Sequence, residues 1–190
     1  MVKCLSVSSR PSSPKTKLKE KKKMKNSKNA ILYLTRGSVI AALYVVLTIV
    51  SAIFGLSSGV IQLRLSEALT VLPLFLPEAV PGLYVGCLIA NLITGAAPFD
   101  LLFGSLATLL GALGTRLIRH IPRKIVWLST LPTILSNALI IPPVLIFAYG
   151  ATDAYWFITL TVAIGEALSA GALGYLLYLS LKKCGIEKML

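Results

Sequence analysis

Acidic residues are scarce in this chain, with seven Asp and Glu against nineteen Lys and Arg in 190 residues. The single histidine, His120, sits beside Arg119 and reads as a solvated loop residue. Neither a histidine metal cluster nor a Ser-His-Asp triad can be built from this chain alone. Three cysteines, Cys4, Cys87 and Cys184, are scattered without a CxxC, which excludes an even-numbered disulfide framework. No GxxxxGK[ST] phosphate loop is present. Any energy-requiring step must therefore draw on nucleotide hydrolysis performed elsewhere, or on another source.

Charge is sparse overall and unevenly placed. Charged residues make up 14% of the chain and hydrophobic ones 56%, with a mean hydropathy of +0.82, whereas a soluble domain carries about 25% charged residues. Residues 1–30 hold ten Lys or Arg and one Glu, so the remaining 160 carry nine basic and six acidic residues. So few charges cannot clothe a water-soluble globule. The composition points to an all-α integral membrane domain over residues 31–190, preceded by a basic, disordered cytoplasmic tail over residues 1–30. Such a lysine run before an apolar segment flanks a membrane on its cytoplasmic side and is attracted to anionic lipid. Nucleic acid is not expected as a partner.

Apolar stretches fall at roughly 34–54, 65–80, 82–97, 99–118, 125–149 and 155–181. A helix needs about 20 residues to cross about 30 Å of hydrocarbon, so these predict six transmembrane helices with short connections, the second and third being short and Pro-flanked. The first stretch is longer than a signal-peptide core and reads as a retained span. Arg116, Arg119, Arg123 and Lys124 lie between the fourth and fifth stretches, and Lys182, Lys183 and Lys188 near the C-terminus. With six spans these share a side with the basic N-terminus, which places both termini in the cytoplasm. Met24, separated by three residues from the Lys19-Glu20 pair, is a candidate translation start, in which case residues 1–23 are leader. A weak echo links LPLFLPEAVPG at 72–82 with LPTILSNALIIPP at 131–143, a placement that inverted repeats share.

Ionisable and carboxamide groups inside spans are costly, about 2.5 to 3.5 kcal/mol for a charge on insertion scales, so they mark where function resides. Arg64, Glu67, Asn91, Asp100, Asn137 and Glu166 are those residues, whereas Glu78, between Pro77 and Pro81, belongs to a cytoplasmic turn. Asn137 lies about 18 Å into its span and Glu166 about as far from the opposite end, so both approach the midplane. The other four sit toward the outside. Carboxylates and carboxamides together suit a planar heterocycle, since a carboxylate accepts from two adjacent N–H donors and an amide both donates and accepts. Interhelical hydrogen bonding, and for Arg64 and Glu67 a mutual i,i+3 ion pair, are the structural alternatives. Ser38, Ala41 and Ala42 form a ridge of small residues that admits a close helix neighbour. The series Gly104, Ser105, Ala107, Gly111, Ala112 and Gly114 reads as internal packing.

The run QLRLSEALTVLPLFLPEAVPGLYVGCLIAN from Gln62 to Asn91 and FDLLFGSLATLLGAL from Phe99 to Leu113 resemble the QueT family of substrate-binding S components of energy-coupling factor (ECF) transporters. SNALIIPPVLIFAYG from Ser136 and GEALS from Gly165 extend the resemblance over most of residues 31–181. It implies a six-helix membrane protein of the bacterial plasma membrane that captures a queuosine precursor, a 7-deazaguanine such as the 7-aminomethyl form or queuine. It implies no cofactor and no enzymatic activity of its own. A transmembrane coupling subunit and two cytoplasmic ATPases would be its partners. An Ala-xxx-Ala face on the first helix meets that subunit in S components, and Ser38 and Ala42 occupy the place here. Contact with the ligand is assigned from depth and chemistry to Arg64, Glu67, Asn91, Asp100, Asn137 and Glu166. The alternatives are a proton-coupled secondary transporter relaying through Glu166 and an S component for another vitamin-like molecule. A membrane enzyme is the weakest, since no span holds a histidine. A reporter fused after Ala151 should be active only outside the cell; cytoplasmic activity at that position would refute the six-span orientation.

Overall fold

The computed structural model describes residues 14–56, 62–120, 123–150 and 153–185. Helix α1 spans Pro14–Ile53, followed by a 3₁₀ helix over Leu65–Leu74, α2 over Ala79–Ile93 and α3 over Pro98–Leu117. A second 3₁₀ helix, Arg123–Thr130, leads into α4, Leu131–Tyr149; α5, Tyr155–Glu166, continues through a π-helical stretch, Ala167–Leu173, into α6, Gly174–Lys183. There is no strand among the described residues. The chain divides into two units. In the first, Met1–Leu34, residues from Pro14 onward are helical, where a disordered tail was expected. Strong helix formers and the absence of Gly and Pro between Lys15 and Arg36 account for this. The first part of that tail lies outside the described residues. The second unit, Thr35–Leu190, holds the features described below.

Among the described residues, four helices are long and apolar enough to cross a membrane: Asn26–Ile53, Pro98–Leu117, Val126–Phe147 and Tyr155–Lys183. The second and third spans are short, as expected, at 10 residues for the 3₁₀ helix and 15 for α2. At about 2 Å and about 1.5 Å of rise per residue, each covers only about 20 Å. Prolines cause the interruption. Pro73, Pro77 and Pro81 recur every four residues, and each withdraws a backbone N–H from a continuous helix. Pro81 falls in the first turn of α2, where its N–H would lack a partner in any case. A short, tight helix at membrane depth survives only inside protein. Accordingly, Ser66, Glu67, Leu69, Thr70, Val71, Leu72 and Pro73 are all buried, with α2, α3, α6 and the π-helical stretch packed around them.

Glycines set the helix crossings. A Cβ added at Gly82 would stand 2.7 Å from the Gly37 carbonyl oxygen, and one at Gly86 would stand 2.9 Å from the Ala41 carbonyl. The two glycines therefore bring α2 against the backbone of α1. Ala41 is turned into this contact and buried, while Ser38 and Ala42 are exposed; the small-residue ridge is thus split between two faces. Below the crossing, Arg36 Nη1 pairs with Glu78 Oε1 at 3.1 Å. Glu78 immediately precedes α2 without capping it through its side chain. The expected small series of α3 does pack internally, Gly111 against Thr133 and Gly114 against Pro132 of α4. On the opposite face of α3, Leu102, Leu106, Leu110, Leu113 and Leu117 are exposed at the three- and four-residue spacing of a lipid-facing stripe. The proposed echo has no structural counterpart: residues 72–82 run from the 3₁₀ helix through a turn into α2, whereas 131–143 lie within α4 alone.

Replacing Gly86 by Leu should destabilise the protein by about 1–3 kcal/mol through overpacking. Leu102→Ala, on the lipid face, should change stability little. Thermal unfolding of both variants in one detergent checks the difference.

Candidate functional site

Four separate stretches of sequence meet around the N-terminal end of the first 3₁₀ helix. Residues 62–64 are extended, and the helix that follows is held by its neighbours more than by itself. Gly165 of α5 has no side chain, so its backbone touches the Gln62 carbonyl; a Cβ there would collide with it. One turn on, Ser169 Oγ accepts the Arg64 backbone N–H at 3.1 Å. The GEALS segment thus works as a unit: Gly165 grants the approach, Ser169 fixes the incoming segment, and Glu166 between them interacts electrostatically with Arg64 and Glu67. The π-helical stretch begins immediately after Glu166. Such widened turns commonly re-aim side chains at functional sites.

Arg64 lies 3.7 Å from Asp100 Oδ2, with side chains 20% and 10% exposed. The i,i+3 alternative of an Arg64–Glu67 ion pair is not the arrangement that forms, because Glu67 Oε1 accepts a 2.5 Å hydrogen bond from the Tyr44 hydroxyl of α1. Thr108 Oγ1 borders the same carboxylate and lies 3.5 Å from Cys87 Sγ. Asn91 Nδ2 is 3.6 Å from that sulfur and 3.5 Å from the Asp100 carbonyl oxygen. Gly104 leaves room for Asp100 and Asn91, since a Cβ there would stand 3.0 Å from Asp100 Oδ1. Glu166 faces Asn137 as well as Glu67 and Arg64. All six residues singled out from sequence therefore belong to one neighbourhood.

That neighbourhood has more hydrogen-bonding capacity than its own members use. Glu67 Oε2, Glu166 Oε2 and Asn137 Nδ2 are buried with no hydrogen-bond partner, although buried polar groups are nearly always paired. Two of these groups nevertheless have a polar neighbour, Asn137 beside Glu166 and Thr108 beside the Glu67 carboxyl. The carboxyl groups of Glu67, Asp100 and Glu166 lie around the guanidinium of Arg64. Just above Asn137, Pro142 and Pro143 sit inside α4 and free carbonyl groups one turn below them. A separate hollow of about 410 Å³ between α3 and α4 is lined by Phe99, Phe103, Ile140, Pro143, Val144 and Phe147. With no polar side chain in its wall, it is unsuited to hydrogen-bonded recognition.

Sequence reasoning missed Tyr44, Cys87, Thr108 and Ser169. Tyr44 looked like an ordinary apolar-helix residue, and only its spacing from Thr48 and Ser51 carried a signal, since the three share one helix face.

Fold and site together define a multi-pass membrane protein with one polar cluster enclosed by its helices. A family model described as "QueT transporter" matches residues 34–183. The chain belongs to the QueT transporter family. It is 35% identical over 72 residues to the "Queuosine precursor transporter QueT" of Lactococcus lactis subsp. cremoris (strain MG1363), an overlap covering 38% of this chain and 42% of that protein. The chain thus spans less than half the length of that curated relative. No solved structure matches it.

Ser169→Ala should leave the buried Arg64 N–H without an acceptor and cost about 1–3 kcal/mol. Ser180→Ala, at an exposed position of α6, should be neutral. Chemical or thermal unfolding in detergent measures both.

Proposed function

We propose that this protein is the substrate-binding S component of an ECF-type importer and that its cluster captures a 7-deazaguanine queuosine precursor from outside the cell. The observation that carries this reading is that Glu67 Oε2, Glu166 Oε2 and Asn137 Nδ2 are buried in one cluster without a hydrogen bond of good geometry. A carboxylate oxygen in such a place stabilises an N–H donor by a charge-assisted bond about twice as strong as a neutral one. The guanine-like edge of a deazapurine offers two such donors side by side. Glu67 is assigned to that edge, and Asn137 to the ring's remaining acceptor and donor groups. Asp100 is held by Arg64, and Asn91 supports the Asp100 backbone. Glu166 is then assigned to the aminomethyl group of the 7-aminomethyl form.

Six apolar helical segments and the distribution of basic residues support six crossings with both termini in the cytoplasm of a bacterial plasma membrane. The chain lacks a phosphate loop, so transport relies on a transmembrane coupling subunit and two cytoplasmic ATPases. Ser38 and Ala42, exposed on α1, form the face assigned to the coupling subunit. Ala41 is excluded from that face by its burial against Gly86.

The purified chain should bind 7-aminomethyl-7-deazaguanine in a calorimetric panel that also contains queuine and common vitamins. Glu67→Gln and Glu166→Gln should each weaken that binding by about 10-fold or more, the loss of one charge-assisted bond. Unchanged affinity in both variants would refute the assignment. Uptake that survives deletion of the ATPases and collapses with an uncoupler would favour a proton-coupled carrier.

A further inference from the structure

Helix α1 turns Tyr44, Thr48 and Ser51 toward the core, and all three are buried. Their partners follow one another in reverse order along the first 3₁₀ helix. The Tyr44 hydroxyl donates to Glu67 Oε1 at 2.5 Å, Thr48 Oγ1 donates to Ser66 Oγ at 2.8 Å, and Ser51 Oγ accepts the Leu65 N–H at 2.9 Å. The last two bonds join groups with no further task. The first differs in what it leaves over: Glu67 Oε2 remains buried and unpartnered.

A carboxylate free to rotate presents either oxygen in any orientation about its terminal bond. With Oε1 held by a phenol, the plane is fixed and the lone pairs of Oε2 point one way. The phenol is itself immobile. Tyr44 is 1% exposed, and its Cβ would lie 2.9 Å from a Cβ built on Gly86, so the ring is anchored at a close contact between α1 and α2. Site groups act at full strength only when locked by a supporting shell of this kind.

We propose that Tyr44 is the positioning residue of the solute site: by engaging Glu67 Oε1, it reserves Oε2 for a donor on the bound heterocycle. The inference rests on the deazaguanine reading above and adds to it the group that sets donor selectivity. Tyr44 acts through Glu67, so its contribution is greatest for a ligand with two adjacent N–H donors and disappears once the carboxylate is removed.

The test compares 7-deazaguanine with 7-deazahypoxanthine, which lacks the exocyclic amine, on the purified full chain. Y44F should lower affinity for 7-deazaguanine about tenfold and for 7-deazahypoxanthine no more than about twofold, bringing the two affinities together. In an E67Q background, Y44F should cost less than about a further twofold, because residues acting as a unit are non-additive. Thr48→Val, which removes the neighbouring bond to Ser66, should leave the ratio of the two affinities unchanged. Should Y44F fail to fold, 3-fluorotyrosine at position 44 keeps the ring and strengthens the donor, and the ratio must then change. Normal wild-type binding with an unaltered ratio in Y44F, or an equal loss added on top of E67Q, overturns the inference alone. A wild-type chain that binds neither compound overturns the ligand reading and this inference with it.

Discussion

The pairing of Glu67 with Tyr44 is the contact on which the rest of the site depends. A carboxylate enclosed by helices has lost its water and must recover those interactions from protein groups. Here the recovery is half complete: Oε1 is bonded and Oε2 is not. The bonded half determines where the 3₁₀ helix sits, and that position determines where Arg64, three residues earlier, meets Asp100. The free half is the chemical capacity left for a solute. In the proposed reading one side chain serves both as a fastening and as a recognition group, and the two roles are separated by oxygen atom.

This division explains why the segment carrying the site is a short 3₁₀ helix. A regular transmembrane helix satisfies its own backbone and needs no neighbours to define its register. Pro73 denies Leu65–Leu74 that independence, so its position is imposed from outside by Ser51 and Thr48 on one side and Ser169 on the other. Dependence on neighbours makes the segment sensitive to them. A shift of α1 relative to α5 would be felt first at Arg64 and Glu67, at the centre of the polar cluster. Gly82, Gly86 and Gly165 oppose such a shift by letting backbones approach until further sliding meets carbonyl groups.

Much of this was legible in the sequence. Polar residues in apolar surroundings are expensive, so their positions alone selected Arg64, Glu67, Asn91, Asp100, Asn137 and Glu166, and the structure brings them together. The small residues of α3 were likewise readable as packing. What the sequence withheld was exact length and direction. Apolar runs are recognised by their side chains, whereas the three prolines that shorten two spans act through the backbone, by the N–H each one lacks. Nor does a run of small residues reveal which face of α1 is which: Ser38, Ala41 and Ala42 looked like one ridge, but Gly86 draws Ala41 inward. Tyr44 was invisible for a related reason. Its ring is apolar enough to pass for core, and its hydroxyl acquires meaning only when Glu67, 23 residues away, arrives beside it.

The same geometry gives α1 two separate tasks. Its inner face, through Tyr44, Thr48 and Ser51, holds the segment that bears Arg64 and Glu67. Its outer face leaves Ser38 and Ala42 exposed, within two turns of Tyr44. In a packed membrane protein, forces between two such faces pass through the helix backbone, which is far stiffer than the side chains it connects. A solute that engages Glu67 Oε2 therefore acts on the helix that the proposed function assigns to the coupling subunit, with no intermediate loop. Conversely, a partner that tilts α1 would loosen the phenol's hold on Oε1 and restore rotation to the carboxylate. Linkage requires that these effects be reciprocal: whatever the solute does to the affinity of α1's outer face, occupation of that face does equally to the affinity for solute.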